Sequence, residues 1–112
     1  MAFFHYSQNN SGGSFRTDAA RGIAHHVIIE AESSATADDR AEKIGLYFDG
    51  CAKDIDCPCC GDRWSRQWSD SDATDEPRVY NRTPEAAAAD SIWGLDPEVS
   101  VHYADGRVVN FK

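Results

Sequence analysis

The sequence predicts an α+β domain: a small antiparallel sheet with one main helix, a zinc-stapled cysteine loop and a C-terminal β-hairpin. Three observations lead there. Short aromatic or β-branched runs at 2–6, 26–31, 99–103 and 107–111 read as strands. The stretch 35–44 carries Ala37, Ala41 and Ile44 at helical spacing. Cys51, Cys57, Cys59 and Cys60 crowd into a single short segment. A chain of 112 residues holds one domain, 1–112, since domains cluster at roughly 100–150 residues.

Each element has a local reason. Ala2–Tyr6 is a short aromatic run, hence a strand, and it leads into the turn formers Gln8-Asn9-Asn10-Ser11-Gly12-Gly13-Ser14. His26–Ala31 is β-branched, with Val27, Ile29 and Ala31 on one face. Ser33, Ser34 and Thr36 offer helix caps, Thr36 with Asp39 resembles a capping box, and Gly45 is a stop. Leu46-Tyr47-Phe48 then returns towards the sheet. In 63–68, Trp64, Arg66 and Trp68 alternate as on one face of a strand. Residues 69–82 form an irregular acidic segment. Thr83 is an N-cap ahead of Pro84, so a short helix runs from Ala86 to about Ser91. Asp105-Gly106 between two alternating runs signals a two-residue hairpin turn.

The cysteines carry the strongest chemical signal. The chain opens with no basic segment and no apolar run of signal-peptide length. No stretch approaches the roughly 20 apolar residues that span a bilayer. The expectation is a reducing cytoplasm, where clustered cysteines point to metal before disulfides. Cys57-Pro58-Cys59-Cys60-Gly61 has the form of a Cys-Pro-x-Cys-Gly zinc knuckle. Cys57 and Cys60 are therefore the expected thiolate ligands of a structural Zn2+, with Cys51 as the third. The fourth is open between Cys59 and a histidine: His5, His25, His26 or His102. Asp56 and Asp62 suit an already anionic thiolate site less well.

Charge and missing constellations narrow the function. The net charge is −8, from 11 basic and 19 acidic residues. Such a chain is poorly equipped to neutralise a run of phosphates, so sequence-nonspecific nucleic-acid binding is not expected. The cysteines lack the His-x-Glu partner and the spacing of a catalytic zinc centre, and no complete catalytic set is visible, so the chain reads as non-enzymatic. Asn9, Asn10, Ser11, Gly12 and Gly13 form a candidate anion nest, without the Lys of a P-loop or the spacing of a dinucleotide fold. The bland alternative there is a hairpin loop. His25-His26 reads as packing at a strand start, and Trp93 as a loop contact.

Several segments together carry a resemblance. They are 6–15 (YSQNNSGGSF), 27–31 (VIIEA), 45–51 (GLYFDGC), and the Asp56-Cys57 and Cys59-to-Trp64 stretches. These resemble a family of small tailed-bacteriophage proteins of unknown function, over most of residues 3–68 and again at 101–106. The resemblance implies a setting, the cytoplasm of an infected bacterium, and an accessory role in which the protein binds a host, phage or defence component. It implies no catalytic residue. Two other readings stand beside it: a nucleotide or small-ligand binder that sequesters or hydrolyses a signal molecule at the Asn9–Ser14 loop, and a structural component of the virion.

Overall fold

The computed structural model describes residues 1–9, 15–56, 61–67, 69–91, 95 and 97–111. Its elements are β1 (Ala2–Ser7), β2 (His26–Ala31), α1 (Ser34–Ile44), a single 3-10 turn (Asp70–Asp72), α2 (Pro84–Ala89), β3 (Val99–His102) and β4 (Val108–Phe111). The four strands form one sheet in the order β1-β2-β3-β4.

The sheet is mixed, not antiparallel as the strand pattern suggested. β1 runs antiparallel to β2 with Phe4 opposite Ile29, and β3 antiparallel to β4 with Val101 opposite Val109. β2 and β3 are parallel, with Ile28 opposite Val101. The connection between them is long and contains both helices, and such a crossover returns the chain in its original direction. Strand periodicity carries no record of that direction.

The alternation along the central strand is used on both faces. Val27, Ile29 and Ala31 join Phe4 and Tyr6 of β1, and Ala37 and Ala41 of α1 lie over them. Leu46, Phe48 and Trp64 close this side. On the opposite face Ile28, Phe3, Val99 and Val101 pack against Val79 and against Ala88 of α2. A strand covered on both faces needs a continuous apolar run, which is what Val27-Ile28-Ile29 supplies.

Local details refine the expected boundaries. The N-cap of α1 is Ser33, whose Oγ accepts from the Thr36 amide at 3.2 Å, and Thr36 itself lies inside the helix. Asp70 gives the same terminus a second acceptor, taking the Ser34 amide at 2.7 Å. Gly45 is the C-cap, as expected. α2 begins at Pro84, capped by Thr83, and ends at Ala89, short of Ser91. The C-terminal hairpin forms, but with a three-residue loop. Tyr103 and Arg107 close it, the Gly106 amide donates to the Tyr103 carbonyl, and Gly106 takes φ +95°. A left-handed glycine after a turn is the usual three-residue solution.

The strand expected over 63–68 does not form within 63–67, and Trp68 lies outside the described residues. Arg63 spends its backbone elsewhere. Its amide donates to Asp56 Oδ2 at 2.8 Å and its carbonyl accepts from the Asn9 amide at 2.8 Å. The acidic segment is largely irregular, yet it is anchored: Phe3 and Thr74 exchange both backbone hydrogen bonds, which covers part of the outer edge of β1.

Candidate functional site

Strand pairing assembles a cluster that adjacent residues alone do not announce. Antiparallel pairing of β1 and β2 puts Ser7 opposite His26, so His5 is the diagonal neighbour of His26 on the same face. Parallel pairing of β2 and β3 puts His26 opposite Val99, and the His26 amide donates to the Glu98 carbonyl at 3.1 Å. Glu98, just ahead of β3, is thereby delivered beside the His25-His26 pair. The site sits where the start of β2 meets the start of β3.

The geometry is close. His25 Nδ1 meets Glu98 Oε1 at 2.6 Å, and His5 Nε2 meets His26 Nδ1 at 2.8 Å. The rings of His25 and His26 stack with centroids 4.1 Å apart. One ligand atom from each of His25, His26 and Glu98 can be chosen so that all lie within 4.8 Å of one another. Above them opens a cleft of about 240 Å3 whose lining includes these three side chains, Tyr80, Arg82 and Asp90. Arg82 and Asp90 form an ion pair at its rim.

Burial sets the electrostatics. The pKa of His26 is pushed down to about 3, by desolvation first and then by the neighbouring His25 and His5. Desolvation, with His25 next, takes His5 down to about 4. Both rings are therefore neutral at pH 7, with lone pairs available to a cation or a donor. Glu98 is 2% exposed, and among the described residues its Oε2 is the buried side-chain oxygen or nitrogen without a hydrogen-bond partner. Leaving such an atom unsatisfied costs roughly 1–3 kcal/mol. A native fold that retains it points to a role at that position.

Tyr80 completes the cleft. Val79 and Arg82 exchange backbone hydrogen bonds at 2.9 and 3.0 Å, and the two residues between them, Tyr80 and Asn81, have φ +49° and +70°. This is the type I′ turn, which favours Asn and Gly. Among the described residues, the other non-glycine positions with positive φ are Asp or Asn. A bulky residue there is held at a cost of about 1–3 kcal/mol. The turn sets the Tyr80 ring edge-on to His5 at 4.9 Å and to His26 at 5.9 Å, yet Tyr80 stays 70% exposed.

The residues singled out in the sequence fare unevenly. Cys57, Cys59 and Cys60 lie outside the described residues, as do Asn10, Ser11, Gly12, Gly13 and Trp93. Cys51 is half-buried, and its amide donates to Asp62 Oδ1 at 2.9 Å. Asn9 is held against the far flank of the cysteine segment, its side chain donating to the Asp62 carbonyl at 3.3 Å. The flanks of the cysteine segment and of the Asn9 loop are thus brought side by side. Asp56 is structural in its contacts: Tyr47 donates to Oδ1 at 2.7 Å, and Arg63 lies against it. Of the four histidines, His25 and His26 line the cleft and His5 contacts His26, while His102 Nε2 engages the Gly22 carbonyl at 2.7 Å.

Glu98 and Tyr80 escaped the sequence reading. A single Glu before a strand looks like a solvated charge, and nothing in Val79-Tyr80-Asn81-Arg82 marks a tyrosine in a left-handed turn. The adjacent histidines were the available signal, and local sequence shows only their adjacency.

Fold and cleft together define a small α+β domain with a buried histidine–carboxylate cluster at the base of an aromatic-rimmed cleft. The chain belongs to the family described as a domain of unknown function (DUF7296), which it matches over residues 1–112. No curated protein and no solved structure matches it. Among the described residues no helix is long and apolar enough to cross a membrane.

Proposed function

We propose that this protein is a non-enzymatic binding domain that takes a side chain or short segment of a protein partner into the Tyr80 cleft. One observation carries the reading: an aromatic ring 70% exposed is held over the histidine cluster by a turn that disfavours it. Strained backbone concentrates at ligand clamps, and Tyr is enriched among the few residues that dominate binding energy in protein interfaces. The cleft, at about 240 Å3, falls below the roughly 300–1,000 Å3 typical of small-molecule pockets. Its size favours a side chain over a nucleotide. The resemblance to small phage proteins supplies the setting of this proposal, a host or defence component in the infected cytoplasm. The net charge of −8 favours a basic partner surface. A structural Zn2+ on Cys51, Cys57 and Cys60, with Cys59 or a histidine completing it, belongs to the same proposal as the brace of the cysteine loop.

The test replaces Tyr80 in two ways. A photo-crosslinking amino acid at position 80, incorporated in infected cells, should yield one discrete cross-linked protein. Tyr80→Asn, which suits the turn, should keep or raise the melting temperature while abolishing capture of that protein. Capture that survives Tyr80→Asn, or crosslinking to no discrete product, overturns the reading.

A further inference from the structure

We propose that the floor of the cleft is a binding site for one divalent transition-metal ion of the zinc type, held by His25, His26 and Glu98. The inference rests on the cleft being the working face of the protein, but it concerns the floor and not the Tyr80 rim. Two imidazoles and a carboxylate are a known three-ligand set for zinc, and imidazole selects such ions over magnesium or calcium.

Geometry supports the assignment. The three ligand atoms already lie within 4.8 Å of one another. Bonds of about 2.0–2.2 Å at tetrahedral angles place ligand atoms roughly 3.4 Å apart, so no pair needs to close by more than about 1.4 Å. Glu98 supplies an independent pointer, because it lines the cleft and its Oε2 is buried with no partner, which an ion at this residue would supply. The 2.6 Å contact of His25 Nδ1 with Glu98 Oε1 would then give way to shared ligation.

His5 is placed as an outer partner. It occupies His26 Nδ1 at 2.8 Å, which leaves Nε2 of His26 for the ion. A ligating imidazole in that tautomer carries its proton on Nδ1 and donates it to His5 Nε2. Such outer hydrogen bonds fix ring orientation and tune affinity. With three protein ligands the fourth position faces the open cleft, so the ion can take its last ligand from whatever occupies it. The site is chemically distinct from a thiolate knuckle, and the two can be told apart by spectroscopy.

The experiment uses the untagged full-length protein, stripped with chelator and titrated with Co2+ and then Zn2+. The site predicts one equivalent of cobalt with nitrogen/oxygen-type d–d absorption and no sulfur-to-metal charge-transfer band. That equivalent should persist when all four cysteines are serine, weaken at least tenfold in Glu98→Gln, and weaken about 10–100-fold in His5→Gln. Circular dichroism checks that each variant is folded. Imidazole 15N NMR of the wild-type chain needs no variant: saturating Zn2+ should move the ring nitrogens of His25 and His26 and leave those of His102 in place. Unmoved His25 and His26 nitrogens, or a cobalt spectrum that is wholly thiolate in character, overturn the proposal. Loss of the metal site with Tyr80-dependent capture intact would sink this inference alone. Histidine shifts on Zn2+ addition in a protein with no Tyr80-dependent capture would sink the proposed function alone.

Discussion

His5 and His26 are the residues whose ionisation most directly links the cleft to folding. Burial holds both rings neutral in the folded chain, at about 4 for His5 and about 3 for His26. In the unfolded chain they titrate near 6.5. Between those values the unfolded state binds more protons than the folded one, so stability rises with pH there. The contribution is complete above about pH 6.5 and is lost as pH falls towards 4 and then 3. Urea unfolding of chelator-treated protein should show this decline, each group contributing a slope of up to ~1.4 kcal/mol per pH unit. The paired variant His5→Gln/His26→Gln should flatten it. A profile equally steep in that variant would remove these two rings as its cause. At this same scale the local sequence is least informative, because the unpartnered oxygen of Glu98 and the turn of Tyr80 depend on what pairing brings beside them.

Elements follow their local signals more faithfully. Helix α1 shows why. Its stripe Ala37-Ala41 is fully buried on the sheet, and Ile44 packs against the edge of that cluster. At its start Ser33 Oγ satisfies the Thr36 amide as the N-cap, while Asp70 takes the Ser34 amide. Ser33→Ala should therefore lower stability by about 0.5–2 kcal/mol, as for other lost N-caps. Thr36→Ala, within the helix, should cost less. Equal losses in chemical denaturation would mean that Thr36 shares the cap. The hairpin of β3 and β4 was equally legible, yet its loop gained a residue. Asp-Gly marks a turn, and Tyr103 pairing with Arg107 decides which turn. The strand expected over 63–68 does not form within 63–67 for a related reason: backbone groups of Arg63 are claimed by Asp56 and Asn9.

Across the whole molecule, one buried polar network joins segments far apart in sequence. Arg63 Nη1 donates to Gln8 Oε1 at 2.9 Å, its Nε donates to the Tyr47 hydroxyl at 3.1 Å, and Tyr47 donates in turn to Asp56. Gln8 donates onward to the carbonyls of Arg16 and Ala24. Arg63 and Asp56 are both buried, and a Cβ on Gly50 would overlap the Asp56 carboxylate, so the backbone there must be glycine. Neutralising Asp56 weakens its ion pair with Arg63 and the hydrogen bonds it accepts from Tyr47 and the Arg63 amide. Asp56→Asn should cost about 3–5 kcal/mol, whereas Asp56→Leu with Arg63→Met should cost less than the single change. A thermodynamic cycle from urea unfolding checks this, and a double variant no better than Asp56→Asn would refute it. Against a total of roughly 5–15 kcal/mol, the single change consumes much of the stability.

By itself the sequence determined the α+β class, the apolar strand at the centre, Gly45 and Thr83 as helix caps and the C-terminal hairpin. These rest on contacts between residues a few positions apart, so periodicity and turn chemistry suffice to read them. It also suggests a cysteine knuckle at Cys57, Cys59 and Cys60, which lie outside the described residues. Only the tertiary structure decided that β2 and β3 run parallel, and with that the cleft itself. His25 and Glu98 stand 73 residues apart and meet at 2.6 Å. Their meeting depends on the direction in which a long crossover returns, a property of the folded chain that no local pattern encodes.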